Sequence, residues 1–255
     1  MSLIKLLSLI TVFIFSISSH AKEKILLVAD YWCPYNCYPN TDYEGLLVDI
    51  ARIAMAKNNI DIDYKMESWA KAVDDFNNSR VDGIIGASPG DVLNPIFPSL
   101  AITKSYFSAH TINNFKWKYH DTNSLNKMVL GIVEGYTYSD DIKNYVYSTY
   151  IEKPEQFYIS SSLNPIDDNI TKLLQGDITV YVEDDNVIRD FANAKKISSL
   201  KNSGSVQNPI ELYIAFPSSK PNSVKYARMI TDTYLELKAN GKLHELAKKY
   251  KINKL

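Results

Sequence analysis

The sequence predicts an α/β chain of two lobes, each a mostly parallel sheet flanked by helices, with the chain crossing between them twice. Three observations carry this. Residues 25–87 alternate strand, helix, strand, helix, strand. A second alternating set begins at residue 129, with the same order and no repeated sequence. A last strand at 211–216 is followed by two helices and no further strand, so this tail must return to an earlier lobe.

Residues 25–29 (ILLVA) are an unbroken apolar run, as in a buried strand. The loop after them carries Trp32, Cys33, Pro34, Tyr35 and Cys37. Leu46, Leu47, Ile50, Ile53 and Ala54 then share one face of a helix. Ile60, Ile62, Tyr64 and Met66 alternate with polar neighbours and give a strand. Trp69, Ala72, Val73 and Phe76 return to helical spacing, with Ser68 as N-cap. Residues 81–87 (VDGIIGA) are another buried strand, which Ser88-Pro89-Gly90-Asp91 breaks.

Residues 105–112 read as one extended segment, and 113–126 as a polar stretch. The second set opens with a strand at 129–133, after which Gly135-Tyr136-Thr137-Tyr138 turns into a helix containing Ile142, Tyr145 and Val146. A strand at 156–159 precedes a helix that Asn164-Pro165 starts and Gly176 stops. Residues 178–182 are a strand, and Asp184 or Asp185 opens the next helix. After the strand at 211–216, Pro221 starts a long helix ending near Gly241, and a shorter one at 243–250 closes the chain. The expected division is 22–108 and 211–255 for the first lobe and 109–210 for the second.

Residues 1–21 carry Lys5, an apolar run at 6–17 and the small-x-small site Ser19-His20-Ala21, the pattern of a secretory signal. A membrane anchor is the alternative, but the run is shorter than the roughly 20 residues that span a bilayer. No cysteine follows the cleavage site, so lipid attachment is not expected. The net charge of -1 argues against a general nucleic-acid binder, which needs a basic face. The 18 tyrosines suit a wall that both stacks and hydrogen-bonds, and they are equally at home in sheets.

Cys33 and Cys37 are the only cysteines. Export to an oxidising compartment favours a local disulfide that holds the Trp32–Tyr35 loop. Zinc binding and redox activity are the alternatives. Zinc would need further ligands, and His110, His120 and His244 are scattered; a redox pair would depart from C-x-x-C spacing. No metal or cofactor is therefore expected. The chain has no G-x-S-x-G, H-E-x-x-H or P-loop motif, and an enzyme is not expected.

Several stretches in this order resemble one family. They are Y-E-G-L-L-V-D-I-A-R-I-A at 43–54, W-A-K-A-V-D-D-F-N-N-S-R-V-D-G-I-I-G at 69–86, G-I-V-E-G-Y-T-Y at 131–138, L-L-Q-G-D-I-T-V-Y-V-E-D at 173–184 and L-K-A-N-G-K-L-H-E-L-A-K-K-Y at 237–250. Behind a signal segment, they are similar to the periplasmic solute-binding proteins of the polar-amino-acid class, extracellular solute-binding protein family 3. The resemblance implies a two-lobed clamshell, monomeric and periplasmic, with a small solute in the interlobe cleft. It implies delivery to an ABC permease; presentation to a membrane sensor and, further off, a dehydratase-like enzyme are the alternatives.

By position, the resemblance puts Trp32 over the ligand and Trp69 on the side-chain pocket. Ala87 and Ser88 fall in the ligand-holding loop, Thr137 at a helix N-terminus that binds a carboxylate, and Asp184 on the ligand ammonium. Trp69 also fits a plain core position, and Glu183 and Asp184 also fit helix caps. The family's arginine clamp for an α-carboxylate is missing, because Asn94 stands near its position. Lys71 is the nearest spare cation and reads as a solvated surface residue. With Tyr136 added, the expected pocket is aromatic and acidic, suited to a small cationic or zwitterionic solute.

Overall fold

The computed structural model describes residues 22–252, and the expected signal segment at 1–21 lies outside the described residues. The apolar run forms β1 (Glu23–Ala29), with Leu27, Val28 and Ala29 fully buried. Helix α1 (Leu46–Ala56) turns Leu46, Leu47, Ile50 and Ala54 into the core and leaves Ile53 half-buried. Strand β2 (Ile60–Met66) buries Ile60 and Tyr64. Helix α2 (Trp69–Asn77) buries Trp69, Ala72 and Phe76, and Ser68 stands at its N-cap without a side-chain hydrogen bond. Strand β3 (Gly83–Ala87) is buried throughout, and β4 (Pro95–Ile96) is a short edge piece.

The segment read as one extended piece is two strands, β5 (Thr103–Ser105) and β6 (Phe107–Ile112). In the polar stretch after β6, Asp121 caps a short 3-10 turn, Thr122–Leu125. The second set follows as β7 (Leu130–Val133), α3 (Asp140–Tyr150), β8 (Phe157–Ser160), α4 (Pro165–Gln175), β9 (Val180–Asp184) and α5 (Asp185–Lys195). Helix α4 opens with the Asn164 side chain accepting from the Asp167 amide, and it stops where Gly176 turns left-handed. Strand β10 (Leu200–Ser205) has no signal in its polar sequence; it forms by pairing with the edge of β6. Strand β11 (Ile210–Pro217), α6 (Ser223–Ala239) and α7 (Lys242–Lys249) complete the chain. Helix α6 packs on α1 and β11, so the C-terminal helices return to the first lobe.

One sheet runs β2-β1-β3-β11-β4 with β5 on β11, and the other runs β10-β6-β9-β7-β8. Each keeps a parallel core and adds antiparallel strands. In the first, β1 is parallel to β2 and β3, and β11 runs against β3. In the second, β7 is parallel to β8 and β9, and β6 runs against β9. The reversed strands are the two that carry the chain across. Each enters its sheet at the carboxyl ends of the parallel strands, Phe107 beside Asp184 and Tyr213 beside Ala87, so each must run the opposite way. The first crossing falls at Tyr106, which places Phe107 and Ser108 in the second sheet and not, as the sequence suggests, in the first lobe. An unbroken run of strand-forming residues hides that change of partner. The return lies between β10 and β11.

Candidate functional site

The two lobes meet where β1, β3 and β7 end, the place at which open α/β sheets hold ligands. The loop after β1 is built first. Trp32 and Asn36 form an isolated bridge, the Trp32 amide donating to the Asn36 carbonyl at 2.8 Å. The Cys33–Cys37 disulfide spans the same turn, with the Cα atoms 4.7 Å apart. The first amides of α1 need acceptors, and Gly45 has no side chain to supply one. The loop supplies them: Leu46 donates to the Pro34 carbonyl at 2.9 Å and Leu47 to the Tyr35 carbonyl at 3.0 Å. Loop and helix therefore fix each other, and they hold Asp30, Trp32 and Asn36 at the cleft.

The cavity between the lobes is lined from the first lobe by Asp30, Trp32, Asn36, Trp69, Ser88 and Asp91, among others. Phe107, Tyr136 and Thr137 face them from the second. No lysine, arginine or histidine is among the lining residues. Its volume is about 30 Å³, well under the roughly 300 Å³ at which ligand pockets begin. Tyr136 accounts for this. Its ring reaches across to stand edge-on to Trp32, Trp69 and Phe107, with centroids 6.3, 6.1 and 6.5 Å away. Its hydroxyl donates to Asp30 at 2.5 Å.

Asp30 is almost fully buried, and among the described residues no cation lines the cavity beside it. Burial pushes its carboxyl up to about 6, against the pull of hydrogen bonds from Tyr136 and Asn36. Asp91 is also raised by burial, and the Ser88 amide and hydroxyl donate to it at 2.6 and 2.8 Å. Behind Trp32, Glu183 accepts from the indole Nε1 at 2.8 Å and from the Tyr181 hydroxyl at 2.6 Å. Desolvation pushes the Glu183 carboxyl up to about 8, against the pull of these hydrogen bonds and of the Asp184 amide, which donates to it at 2.8 Å.

Four of the residues expected from the sequence line the cavity together with Thr137: Trp32, Trp69, Ser88 and Tyr136. Trp69 is core as well, packed with Val28, Ala72 and Phe76. Three placements need correction. Asp184 does not line the cavity. Its buried carboxylate caps α5 through the Asn186 and Val187 amides at 2.7 and 3.1 Å, and it also takes the Ser105 hydroxyl and the Tyr106 amide. A carboxylate so engaged has no geometry left for a ligand ammonium. Ala87 lies within β3, opposite Tyr213, while its neighbours Gly86 and Ser88 face the cavity. Thr137 precedes α3, whose N-cap is Ser139, so it is not at the helix N-terminus. Asn94 is exposed and away from the cavity, and Lys71 is a surface residue paired with Glu67 and Asp75.

Sequence reasoning missed Asp30, Asn36 and Asp91. A signal for Asp30 was present, since an aspartate directly ends the first buried strand. Asn36 and Asp91 looked like ordinary loop residues.

No family model matches this chain, and no curated protein matches it in sequence. Solved structures do match its fold. A mutant of ArgBP from T. maritima superposes with a TM-score of 0.72 at 15% identity, covering 89% of this chain and 94% of that one. An amino acid ABC transporter substrate-binding protein, AbpA from Streptococcus pneumoniae bound to L-arginine, gives 0.70 at 13% identity, covering 90% and 94%. A histidine kinase sensor domain with similarity to periplasmic binding proteins gives 0.71 at 13% identity, covering 90% and 96%. At these identities the likeness establishes the fold: a two-lobed periplasmic-binding-protein fold over about nine-tenths of the chain.

Proposed function

We propose that this chain is an extracytoplasmic binding protein that holds a small cationic solute in the interlobe cleft and hands it to an ABC permease. The observation that carries the reading is the cavity wall: Asp30 and Asp91 beside Trp32, Trp69, Phe107 and Tyr136, with no basic side chain. A buried carboxylate raised by desolvation gains most from a cation brought to it. Aromatic faces add to that attraction. An α-carboxylate, by contrast, would meet two acidic side chains and no counter-charge. The fold supports delivery of a solute, and the signal pattern at 1–21 supports export. The likeness to a sensor domain rests on the same fold, so the membrane partner is what separates those two roles.

Ligand entry requires the Tyr136 ring to leave the space in front of Asp30, which a hinge motion at the two crossings can provide. A thermal-shift screen tests the reading, because a ligand that binds only the native state raises Tm. Guanidinium compounds, diamines and basic amino acids are expected to raise Tm in a concentration-dependent way. Acidic amino acids and neutral sugars are expected to leave it unchanged. A strong shift from glutamate or a neutral amino acid, with none from any cation, would overturn the proposal.

A further inference from the structure

We infer that the group bound at Asp30 is a cation carrying several N–H donors, a primary ammonium or a guanidinium, and that the Asn36 side-chain carbonyl reads those donors. This rests on the cleft being a cation site and adds which kind of cation it takes.

Asn36 is fully buried, on the cavity wall. Its amide orientation is set by its surroundings: Nδ2 donates to the Asp30 backbone carbonyl at 2.8 Å and lies 3.4 Å from the Asp30 carboxylate. Flipping the amide would put oxygen against oxygen at both contacts. The carbonyl oxygen Oδ1 therefore points the other way, and among the described residues it has no hydrogen-bond partner. A buried acceptor left unpaired is costly and calls for a donor.

The neighbouring strand leaves room for one. Gly86 also lines the cavity. A Cβ built on it would stand 2.9 Å from Asn36 Oδ1 and 3.9 Å from the Trp32 ring. Gly86 has φ +87°, a conformation suited to glycine, and its missing side chain keeps the space before that oxygen open.

Several of the protein's own donors at the cavity are already engaged. Trp32 Nε1 is bonded to Glu183, Asn36 Nδ2 to Asp30, and the Ser88 hydroxyl to Asp91. The Tyr136 hydroxyl is bonded to Asp30 and marks where an external donor would sit. Two acceptors facing the cavity have capacity to fill: the Asp30 carboxylate once Tyr136 withdraws, and Asn36 Oδ1. An ammonium or guanidinium can donate to both together. A quaternary ammonium satisfies the aromatic faces but brings no N–H, so it leaves Oδ1 unpaired.

The test compares n-butylguanidinium, n-butylammonium and n-butyltrimethylammonium by calorimetric titration of the exported chain. The first two are expected to bind at least tenfold more tightly than the third, and Asn36→Leu is expected to reduce that preference severalfold. Equal binding of the trimethylated probe would overturn this inference while leaving the cation reading intact. Binding of none of the three would overturn both. A preference that survives intact in a folded Asn36→Leu would remove Asn36 from the role. If that variant does not fold, a crystal structure of the n-butylguanidinium complex decides. A nitrogen within about 3.2 Å of Oδ1 supports the assignment, and its absence overturns it.

Discussion

Asp30→Asn is expected to weaken binding of a cationic ligand on the order of tenfold to a hundredfold. A charge-assisted hydrogen bond is worth roughly 1.5–3 kcal/mol, and about 1.4 kcal/mol is a factor of ten in Kd. The substitution keeps the size of the side chain and removes the charge. It also removes a buried carboxyl raised to about 6 by desolvation, so the ligand-free protein should lose no stability at neutral pH. Calorimetric titration with n-butylguanidinium, alongside a thermal melt, separates the two effects. A Kd within threefold of the parent would show that Asp30 is not the anchor. Asp184→Asn is the contrasting control, because that carboxylate caps α5 and does not line the cavity.

Gly45→Ala is expected to cost stability and to take the site with it. Gly45 sits at φ 112° and ψ 153°, immediately before α1. A Cβ there would lie 2.3 Å from the Tyr35 carbonyl oxygen, 2.6 Å from its carbon and 2.8 Å from the Asn36 Cα. All three atoms are backbone, so no rotamer change relieves the overlap. The strained dihedrals and the clash together should cost roughly 3 kcal/mol or more. In a chain of this size that lowers Tm by about 6–12 °C. The loop that would have to move carries Trp32 and Asn36, so binding should weaken even where the variant still folds. A melt within about 2 °C of the parent would contradict the close packing of this loop on α1.

Much of the fold could be read from the chain because its signals are local. The apolar run of β1, the helical spacing of α1 and α2, and the Asn164-Pro165 start and Gly176 stop of α4 each sit within a few residues. What escaped depends on partners far away in sequence. Strand β10 exists because β6 offers it an edge, and the sheet change at Tyr106 leaves no mark in a continuous extended run. The site divides the same way. Trp32 and Trp69 stood out as large rings at strand and helix ends, and both line the cavity. Asp184 is put on the ligand ammonium by the family resemblance alone; the structure commits it to five hydrogen-bond donors from the protein's own chain. Asp30 gains its meaning only when Tyr136, more than a hundred positions later, closes over it, and Asn36 through its bond to Asp30.

The most direct test of a cation held at Asp30 is proton release. Asp30 has its carboxyl raised from 3.8 to about 6, so near that pH a substantial fraction of the ligand-free protein carries the proton. A cation binds the ionised form and lowers the pKa, so binding must expel that proton. The sign is fixed: affinity falls as pH drops below about 6, and release fades as pH rises above it. The Tyr136 hydroxyl, Asp30's own backbone amide, the Asn36 amide and Asp91 act on this carboxyl, and none of them supplies a compensating positive charge. Calorimetric titration with n-butylguanidinium, which stays charged throughout, is run at pH 6 and pH 8 in buffers of different ionisation enthalpy. The account predicts release of about half a proton at pH 6 and close to none at pH 8, with most of the pH 6 release lost in Asp30→Asn and any remainder coming from Asp91, the second raised carboxyl on the same wall. Tight binding with no proton release at pH 6, or release at pH 6 that is undiminished in Asp30→Asn, would contradict it.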